Sequence, residues 1–290
     1  MSFPSAVKIV EVGPRDGLQN EATSLDVATK VELIERLAKT GLQAIEAGSF
    51  VSPKWVPQMA GSDEVFNQLQ PSDTVYAALT PNLRGLERAI DCNVREVAVF
   101  AAASEAFSAK NINCSIDESL NKFEAVIEKA SIENIRVRGY ISCVAGCPYQ
   151  GDVDNRRIRE IASALLSMGC YEVSLGDTIG VATPAITESL LTELFKEIAA
   201  SKLAMHMHDT YGRAIDNIKQ SLAMGISTID SSVAGLGGCP YAKGASGNVA
   251  TEKVIALLDK LDIAHGVDFQ KLSYTSEFIC KKLGRPAYTD

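Results

Sequence analysis

A single (β/α)8 TIM barrel of the α/β class, with an appended C-terminal helix, is the fold that the sequence predicts. Short apolar stretches alternate with amphipathic helical patterns along the chain, which is typical of a parallel sheet with crossover helices. The chain has 290 residues, and a barrel takes about 250. No Pro-, Gly- or Ser-rich linker divides it, so one domain is expected over 1–290, with a helical extension at about 268–290.

The predicted strands are short and apolar, and there are enough of them to close a barrel. In chain order they are Val7–Val12, Ala44–Ala47, Thr74–Leu79, Glu96–Ala101, Arg136–Val144, Glu172–Leu175, Leu203–His208 and Thr228–Val233. An open doubly wound sheet is the alternative, because the same alternation of strands and helices builds both folds.

The predicted helices have one apolar face, with spacing of three and four residues. This pattern is formed by Val27, Val31, Ile34 and Ala38, and again by Ile158, Ile161, Ala162, Leu165 and Leu166. Thr183 followed by Pro184 predicts the start of a further helix.

A weak internal repeat favours one closed sheet over two unlike domains. Gly41, Asn93, Gly169 and Gly225 each end a helical pattern, and a predicted strand begins three residues later. Gly and Asn accept the left-handed backbone conformation that closes a helix.

Composition excludes several classes of partner. The net charge is −8, so the overall field does not attract nucleic acid or an anionic membrane. The cysteines number seven, an odd count, which indicates free thiols in a reducing compartment. No apolar run approaches the roughly 20 residues of a membrane span. These features predict a cytoplasmic protein.

The sharpest chemical pattern is the pair His206 and His208, because the chain has only 3 histidines. They end the seventh predicted strand, and residues two apart on a strand point to the same side. In a barrel the C-terminal ends of the strands carry the active site. Both imidazoles could therefore bind one metal ion. A buried, hydrogen-bonded pair without a metal is the structural alternative.

Asp16, after the first predicted strand, could add an oxygen ligand to those two nitrogens. Arg15 beside it could face an anionic target. Taken alone, however, Gly13–Gly17 also fits a plain turn, because Pro, Asp and Gly are turn residues.

Two further carboxylates are associated with predicted strands. Glu46 lies inside an apolar strand, where a carboxylate must be paired or functional. Its structural alternative is a buried arginine partner such as Arg15. Asp177 follows the sixth strand, where capping a helix or forming a turn is the alternative.

The segment Gly235–Asn248 is dense in glycine and contains Cys239. Its spacing matches neither a dinucleotide-binding fingerprint nor a P-loop. We expect a loop that closes over a site, with Cys239 as an acid–base or nucleophilic thiol. A surface loop with an incidental thiol is the alternative. Asn248 could cap a helix or provide an oxygen ligand to a metal.

Together these segments resemble 3-hydroxy-3-methylglutaryl-CoA lyases, which belong to the metal-dependent barrel family that includes isopropylmalate and homocitrate synthases. The resemblance spans nearly the whole chain and is carried by Gly13–Glu21, His206–Asp209 and Ser231–Glu252. The last segment, with its cysteine, is the most specific, because the synthases differ there.

The resemblance implies cleavage of 3-hydroxy-3-methylglutaryl-CoA to acetyl-CoA and acetoacetate, with Mg²⁺ or Mn²⁺ as cofactor and a homodimer as the assembly. It implies four metal ligands, which are Asp16, His206, His208 and Asn248. Ala22 departs from the family pattern, in which lysine is frequent, so the CoA-phosphate contact of those relatives is not carried over.

The resemblance also implies catalytic roles. Arg15 would polarise the thioester carbonyl, Cys239 would act as an acid, and Asp16 or His206 would act as the base. Two carboxylates, Glu46 and Asp177, would orient Arg15 and the metal-site groups.

Two other functions fit parts of the sequence. An enzyme on the same scaffold could act on another 3-hydroxyacyl-CoA or run the condensation, although the loop with Cys239 argues for cleavage. A non-catalytic metal- or acyl-CoA-binding regulator is disfavoured, because the chain has no DNA-binding motif, basic patch or partner-binding tail. Oxidoreduction is disfavoured by the missing dinucleotide fingerprint.

Overall fold

Eight parallel strands close into a barrel in a computed structural model, which describes residues 3–238 and 247–288. Strand order follows chain order, and β8 pairs with β1 to close the sheet. The strands are β1 (Lys8–Glu11), β2 (Ala44–Ser49), β3 (Val75–Leu79), β4 (Glu96–Ala102), β5 (Arg136–Ser142), β6 (Glu172–Asp177), β7 (Leu203–Met207) and β8 (Thr228–Ser231). The predicted barrel is confirmed, and the open sheet is excluded.

Helices surround the barrel, and the main apolar core lies between them and the sheet. They are α1 (Val27–Ala38), α2 (Ser62–Gln68), α3 (Leu83–Asp91), α4 (Glu105–Ile112), α5 (Ile116–Ile132), α6 (Asn155–Met168), α7 (Pro184–Leu194), α8 (Ala214–Ala223), α9 (Thr251–Lys260) and α10 (Phe269–Leu283). Among the described residues, no helix is long and apolar enough to cross a membrane.

The predicted helix ends are confirmed at all four repeat positions. Gly41, Asn93, Gly169 and Gly225 have φ values of 94°, 57°, 122° and 98°. Gly41 is the most constrained, because a Cβ atom there would lie 2.3 Å from the carbonyl oxygen of Gly266. This turn therefore needs glycine both for its backbone conformation and for its close approach to the neighbouring chain.

The apolar helix faces are mostly as predicted. In α6, Ile158, Ile161 and Leu165 are fully buried. In α1 only Ile34 of the predicted stripe is fully buried, together with Leu33 and Leu37, while Val27, Val31 and Ala38 are half-buried. The buried face is shifted because the helix packs against β2 on one side and α10 on another.

Capping residues fix the ends of two other helices. The Thr183 hydroxyl accepts a hydrogen bond from the Ile186 amide, and Pro184 begins α7, as predicted. The Asp268 carboxylate accepts from the Lys271 amide at 3.1 Å and begins α10. That helix packs against α1 and α9, which confirms the appended C-terminal helix.

Candidate active site

The predicted site residues come together at one rim of the barrel, at the C-terminal ends of the strands. Asp16 follows β1, Glu46 lies in β2, Asp177 ends β6, and His206 lies in β7. Cys239 falls outside the described residues. The other predicted residues thus lie at the barrel end that carries the chemistry of this fold.

Gly13–Gly17, predicted as a catalytic segment or a plain turn, forms one π-helical turn. The Val12 carbonyl accepts hydrogen bonds from the amides of Arg15, Asp16 and Gly17 at 3.1, 2.8 and 3.2 Å. A Cβ atom on Gly17 would approach Leu236 Cβ to 2.7 Å. The turn packs close to the chain after β8 and directs Arg15 to Glu46 of β2 and Asp16 to Asn248.

Arg15 is buried between two carboxylates. Its Nε donates to Glu46 Oε2 at 2.6 Å, and its Nη1 donates to Asp16 Oδ1 at 2.5 Å. Burial opposes the charged form, but the two carboxylates raise the pKa of Arg15 above its ordinary value. The guanidinium is therefore a fixed positive charge. Burial raises the pKa of Glu46, and Arg15 partly offsets that rise.

Asp16, His206 and His208 form a cluster that could hold a metal ion. One potential ligand atom from each lies within 4.8 Å of the others. His206 Nε2 is 3.8 Å from Asp16 Oδ2. Burial opposes the ionised carboxylate, yet Arg15 and the two histidines lower the pKa of Asp16 to about 2. The donor set of two imidazoles and one carboxylate suits a divalent cation.

Two polar atoms at the cluster are buried without a hydrogen-bond partner in the described structure. They are His208 Nδ1 and Asn248 Oδ1. The Asn248 amide nitrogen donates to Asp16 Oδ2 at 2.8 Å, and His208 pairs with Asn248 through a β-bridge. Buried polar atoms normally have partners, so an ion that binds these two atoms would satisfy both. The four predicted ligands therefore fit a divalent cation.

Asp177 acts on the loop after β6. Its Oδ1 and Oδ2 accept from the amides of Val181 and Ala182 at 3.1 and 2.9 Å. Gly180, inside this loop, packs against His208, since a Cβ atom on Gly180 would lie 3.1 Å from the His208 carbonyl oxygen. Burial raises the pKa of Asp177 to about 6. Asp177 thus reaches the metal cluster through the loop that supports His208.

The described residues that flank Cys239 lie beside the cluster. The Gly247 amide donates to the Gly237 carbonyl at 2.9 Å, and the Gly247 carbonyl accepts from the Asp209 amide at 2.7 Å. Gly247 immediately precedes Asn248. The described residues on the two sides of Cys239 therefore both lie at the site.

Sequence reasoning missed Glu11, which supports the turn at Gly13–Gly17. Its Oε1 accepts from the amides of Gly13 and Val233 at 2.8 and 2.9 Å, and its Oε2 accepts from the Thr251 hydroxyl at 2.7 Å. The signal was available, because Glu11 lies inside an apolar strand, as Glu46 does.

Sequence reasoning also missed the charged side chains inside the barrel. Arg138 of β5 and Asp230 of β8 are 2% and 1% exposed. Each interrupts an apolar strand, so the rule that singled out Glu46 applied to them as well. Their partners are distant in sequence, and only closure of the barrel brings them together.

Comparison with known proteins places the chain among characterised lyases. The family model described as HMGL-like matches residues 6–279. A 3-hydroxy-3-isohexenylglutaryl-CoA/hydroxy-methylglutaryl-CoA lyase of Pseudomonas aeruginosa is 58% identical over 286 residues, 98% of this chain and 95% of that protein. The crystal structure of an HMG-CoA lyase of Bacillus subtilis has a TM-score of 0.98 at 43% identity, covering 100% of this chain and 97% of that chain.

A further similar structure contains bound molecules. An HMG-CoA lyase of Acinetobacter baumannii, in complex with coenzyme A and 3-methylmalate, has a TM-score of 0.94 at 31% identity. The match covers 100% of this chain and 95% of that chain.

Proposed function

The chain belongs to the HMGL-like family, and on this premise we propose that it cleaves 3-hydroxy-3-methylglutaryl-CoA to acetyl-CoA and acetoacetate. One observation carries the proposal: a buried arginine lies beside a four-residue cluster with two unsatisfied ligand atoms, at the catalytic end of a barrel. This arrangement suits a reaction that develops negative charge on a thioester oxygen next to a chelated hydroxyl.

The metal site is proposed to be Asp16, His206, His208 and Asn248, with Mg²⁺ or Mn²⁺ as the ion. A divalent cation at such a site supplies Lewis acidity, which lowers the pKa of a substrate hydroxyl and holds a neighbouring carboxylate. The two oxygen ligands suit these ions and the two imidazoles would also suit zinc, so the choice of Mg²⁺ or Mn²⁺ rests on the family resemblance.

The chain's own residues perform the proton transfers of a retro-Claisen cleavage. Asp16 takes the proton from the substrate's tertiary hydroxyl, because both ring nitrogens of His206 are engaged, Nδ1 next to Asp230 and Nε2 at the proposed metal. The bond from that carbon to the adjacent CH₂ then breaks, and its electron pair moves into the thioester. The products at this point are acetoacetate and the enolate of acetyl-CoA.

Arg15 stabilises the enolate oxygen. Glu46 holds the guanidinium in place by accepting a hydrogen bond from Arg15 Nε. A preorganised donor of this kind contributes roughly 3–4 kcal/mol to the transition state. Cys239 then donates its proton to the enolate carbon, because a thiol with an ordinary pKa of about 8.5 is protonated near neutrality. The proposed role of Asp177 is to orient the groups around His208.

A second substrate is favoured by one finding. The relative that is 58% identical is named for both 3-hydroxy-3-isohexenylglutaryl-CoA and hydroxy-methylglutaryl-CoA. The reacting atoms of the two substrates are the same, and only the substituent on the hydroxyl carbon differs. We therefore include the longer substrate as an alternative for this chain.

The experiment is a cleavage assay with both substrates at equal concentration. We expect stoichiometric acetoacetate and acetyl-CoA from 3-hydroxy-3-methylglutaryl-CoA. A larger kcat/KM for the isohexenyl substrate would make the alternative the main activity. Absence of acetyl-CoA from both substrates, with Mg²⁺ or Mn²⁺ supplied, would contradict the proposed function.

A homodimer in the cytoplasm is the proposed physical state. The six described cysteines are all free thiols, which supports a reducing compartment, although mammalian relatives are named mitochondrial. Analytical ultracentrifugation would test the dimer, and a single species at the mass of one chain would contradict it.

A further inference from the structure

A layer of charged side chains lies inside the barrel next to His206. TIM barrels usually fill this interior with branched apolar side chains. Here Arg138 of β5, Glu172 of β6 and Asp230 of β8 occupy it, and they are 2%, 4% and 1% exposed. Arg138 Nε donates to Glu172 Oε1 at 2.8 Å. None of these three residues takes part in the proposed proton transfers.

Asp230 connects this layer to the metal cluster. Its two carboxylate oxygens accept from Arg138 Nη2 and Nη1 at 2.8 and 3.1 Å. Oδ2 also accepts from the Ser174 hydroxyl at 2.7 Å, and it lies 3.2 Å from His206 Nδ1. Arg138 and Ser174 therefore fix the position of the Asp230 carboxylate next to His206.

This contact determines which nitrogen of His206 carries the proton. A carboxylate can only accept, so Nδ1 must donate to Asp230, which leaves Nε2 with its lone pair. Nε2 is the nitrogen that faces Asp16, at 3.8 Å. The strand register supports the geometry, because His206 and Asp230 are direct partners across β7 and β8.

Stability alone is a poor reason for such a layer. Moving charged groups out of water costs several kcal/mol for each ion, and apolar replacements of buried pairs are often neutral or stabilising. A hydrogen bond to the distal nitrogen of a metal-binding histidine, by contrast, fixes its tautomer and ring orientation. The position of Asp230 matches this second role.

We propose that Asp230 is a positioning residue for the metal site: it orients His206 through Nδ1, and Arg138 and Ser174 hold it in place. The inference rests on the proposed function only in that both need a cation at His206. Its test is therefore a measurement of metal binding and does not depend on turnover.

The experiment compares the Mn²⁺ dissociation constants of the full chain and two variants, measured by electron paramagnetic resonance of free Mn²⁺ without substrate. Asp230→Asn removes the charge next to His206, and we expect affinity to fall about 10- to 100-fold. The matched control is Glu172→Gln, which removes the other carboxylate from Arg138 without touching His206. We expect the control to bind Mn²⁺ as the parent does.

A second variant covers the case in which Asp230→Asn does not fold because Arg138 is left buried and unpaired. Asp230→Asn combined with Arg138→Met removes both charges, and Glu172 keeps its contact with Lys8 at 3.7 Å. The same loss of affinity is expected. Parent-like Mn²⁺ affinity in either folded variant would overturn the inference, as would an equal loss in Glu172→Gln.

The two proposals fail differently. A parent chain that binds Mn²⁺ and loses it in the Asp230 variants, but forms no acetoacetate, would contradict the proposed function and leave this inference standing. If the parent chain forms acetoacetate and the Asp230 variants keep its Mn²⁺ affinity, the proposed function stands and this inference is contradicted.

Discussion

At the scale of single residues, the site depends on an arginine that two carboxylates hold in place. Arg15 contacts Glu46 at 2.6 Å and Asp16 at 2.5 Å, so its position is fixed before substrate arrives. A preorganised charge requires little reorganisation during the reaction, which is why such groups contribute strongly to catalysis. Arg15 contacts only Oδ1 of Asp16, while Oδ2 accepts a hydrogen bond from the Asn248 amide and lies 3.8 Å from His206 Nε2.

Arg15→Gln is expected to lower kcat by on the order of 10²- to 10³-fold, because a neutral amide stabilises the enolate oxygen poorly. Mn²⁺ binding should be retained, because Arg15 is not a proposed ligand. Steady-state kinetics and a metal titration check both expectations. The control is Arg36→Gln, which changes an exposed arginine that pairs with Glu32 on α1. Unchanged kcat in Arg15→Gln would contradict the assigned role.

Cys239→Ser is expected to lower kcat by roughly 10²- to 10⁴-fold, the usual contribution of a general acid. A serine hydroxyl is far less acidic than a thiol, so it cannot replace the proton donor. The measurement is kcat with circular dichroism as a check on folding. Cys114→Ser serves as the matched thiol substitution, and it should be neutral. Full turnover in Cys239→Ser would remove the thiol from the mechanism.

Residue-level prediction succeeded where a local rule was applied and failed where it was not. A carboxylate inside an apolar strand identified Glu46, and the structure places it against Arg15. The same rule also covers Glu11 and Asp230, but it was not applied to them. The partner of Asp230, Arg138, is 92 positions away, and no local pattern connects residues so far apart.

At the scale of elements, helix ends and strands were predictable because each has a local cause. All eight strands lie within two residues of their predicted bounds. The π-helical turn at Gly13–Gly17 was not predictable. Its shape depends on Glu11 and on contact with Leu236, which are features of the folded barrel and not of the five residues themselves.

Gly41→Ala is expected to destabilise the protein more than Gly225→Ala. Both glycines end a helix with similar φ values, 94° and 98°, so both substitutions carry about 1–2 kcal/mol of backbone strain. Only at Gly41 would the new Cβ meet a backbone carbonyl at 2.3 Å; at Gly225 the nearest atom is 3.8 Å away. Urea unfolding measures the difference, and equal losses in the two variants would contradict this account.

At the scale of the whole molecule, barrel closure turns separate segments into one site. The pairing of β8 with β1 brings the chain after β8 against the turn after β1. Glu11 connects the two, because it holds Gly13 on one side and Val233 on the other. Alternating patterns predicted the barrel, but these cross-barrel contacts follow only from its closure.

Glu11→Gln is expected to reduce the loss of stability as pH rises from 5 to 8. Burial raises the pKa of Glu11 from 4.5 to about 7, so the folded state binds this proton more tightly than the unfolded state does. Its contribution to stability is therefore fully present below pH 4.5 and is lost as pH rises through 7. Between pH 5 and pH 8 the variant should therefore lose roughly 2–3 kcal/mol less of its free energy of unfolding than the parent.

Urea unfolding of the parent and the Glu11→Gln variant at the two pH values measures this effect. Glutamine can keep the same hydrogen bonds, since its oxygen accepts from Gly13 and Val233 and its amide can donate to Thr251. The control is Glu188→Gln, an exposed position on α7, which should follow the parent. A variant as sensitive to pH as the parent would contradict the pKa of Glu11.

The most direct test of the central claim is acetoacetate formation from 3-hydroxy-3-methylglutaryl-CoA before and after removal of metal with EDTA. The account predicts that EDTA abolishes cleavage, because Asp16, His206, His208 and Asn248 then hold no ion. Excess Mg²⁺ or Mn²⁺ should restore it. Undiminished acetoacetate formation by a chain shown to be free of metal would contradict the account.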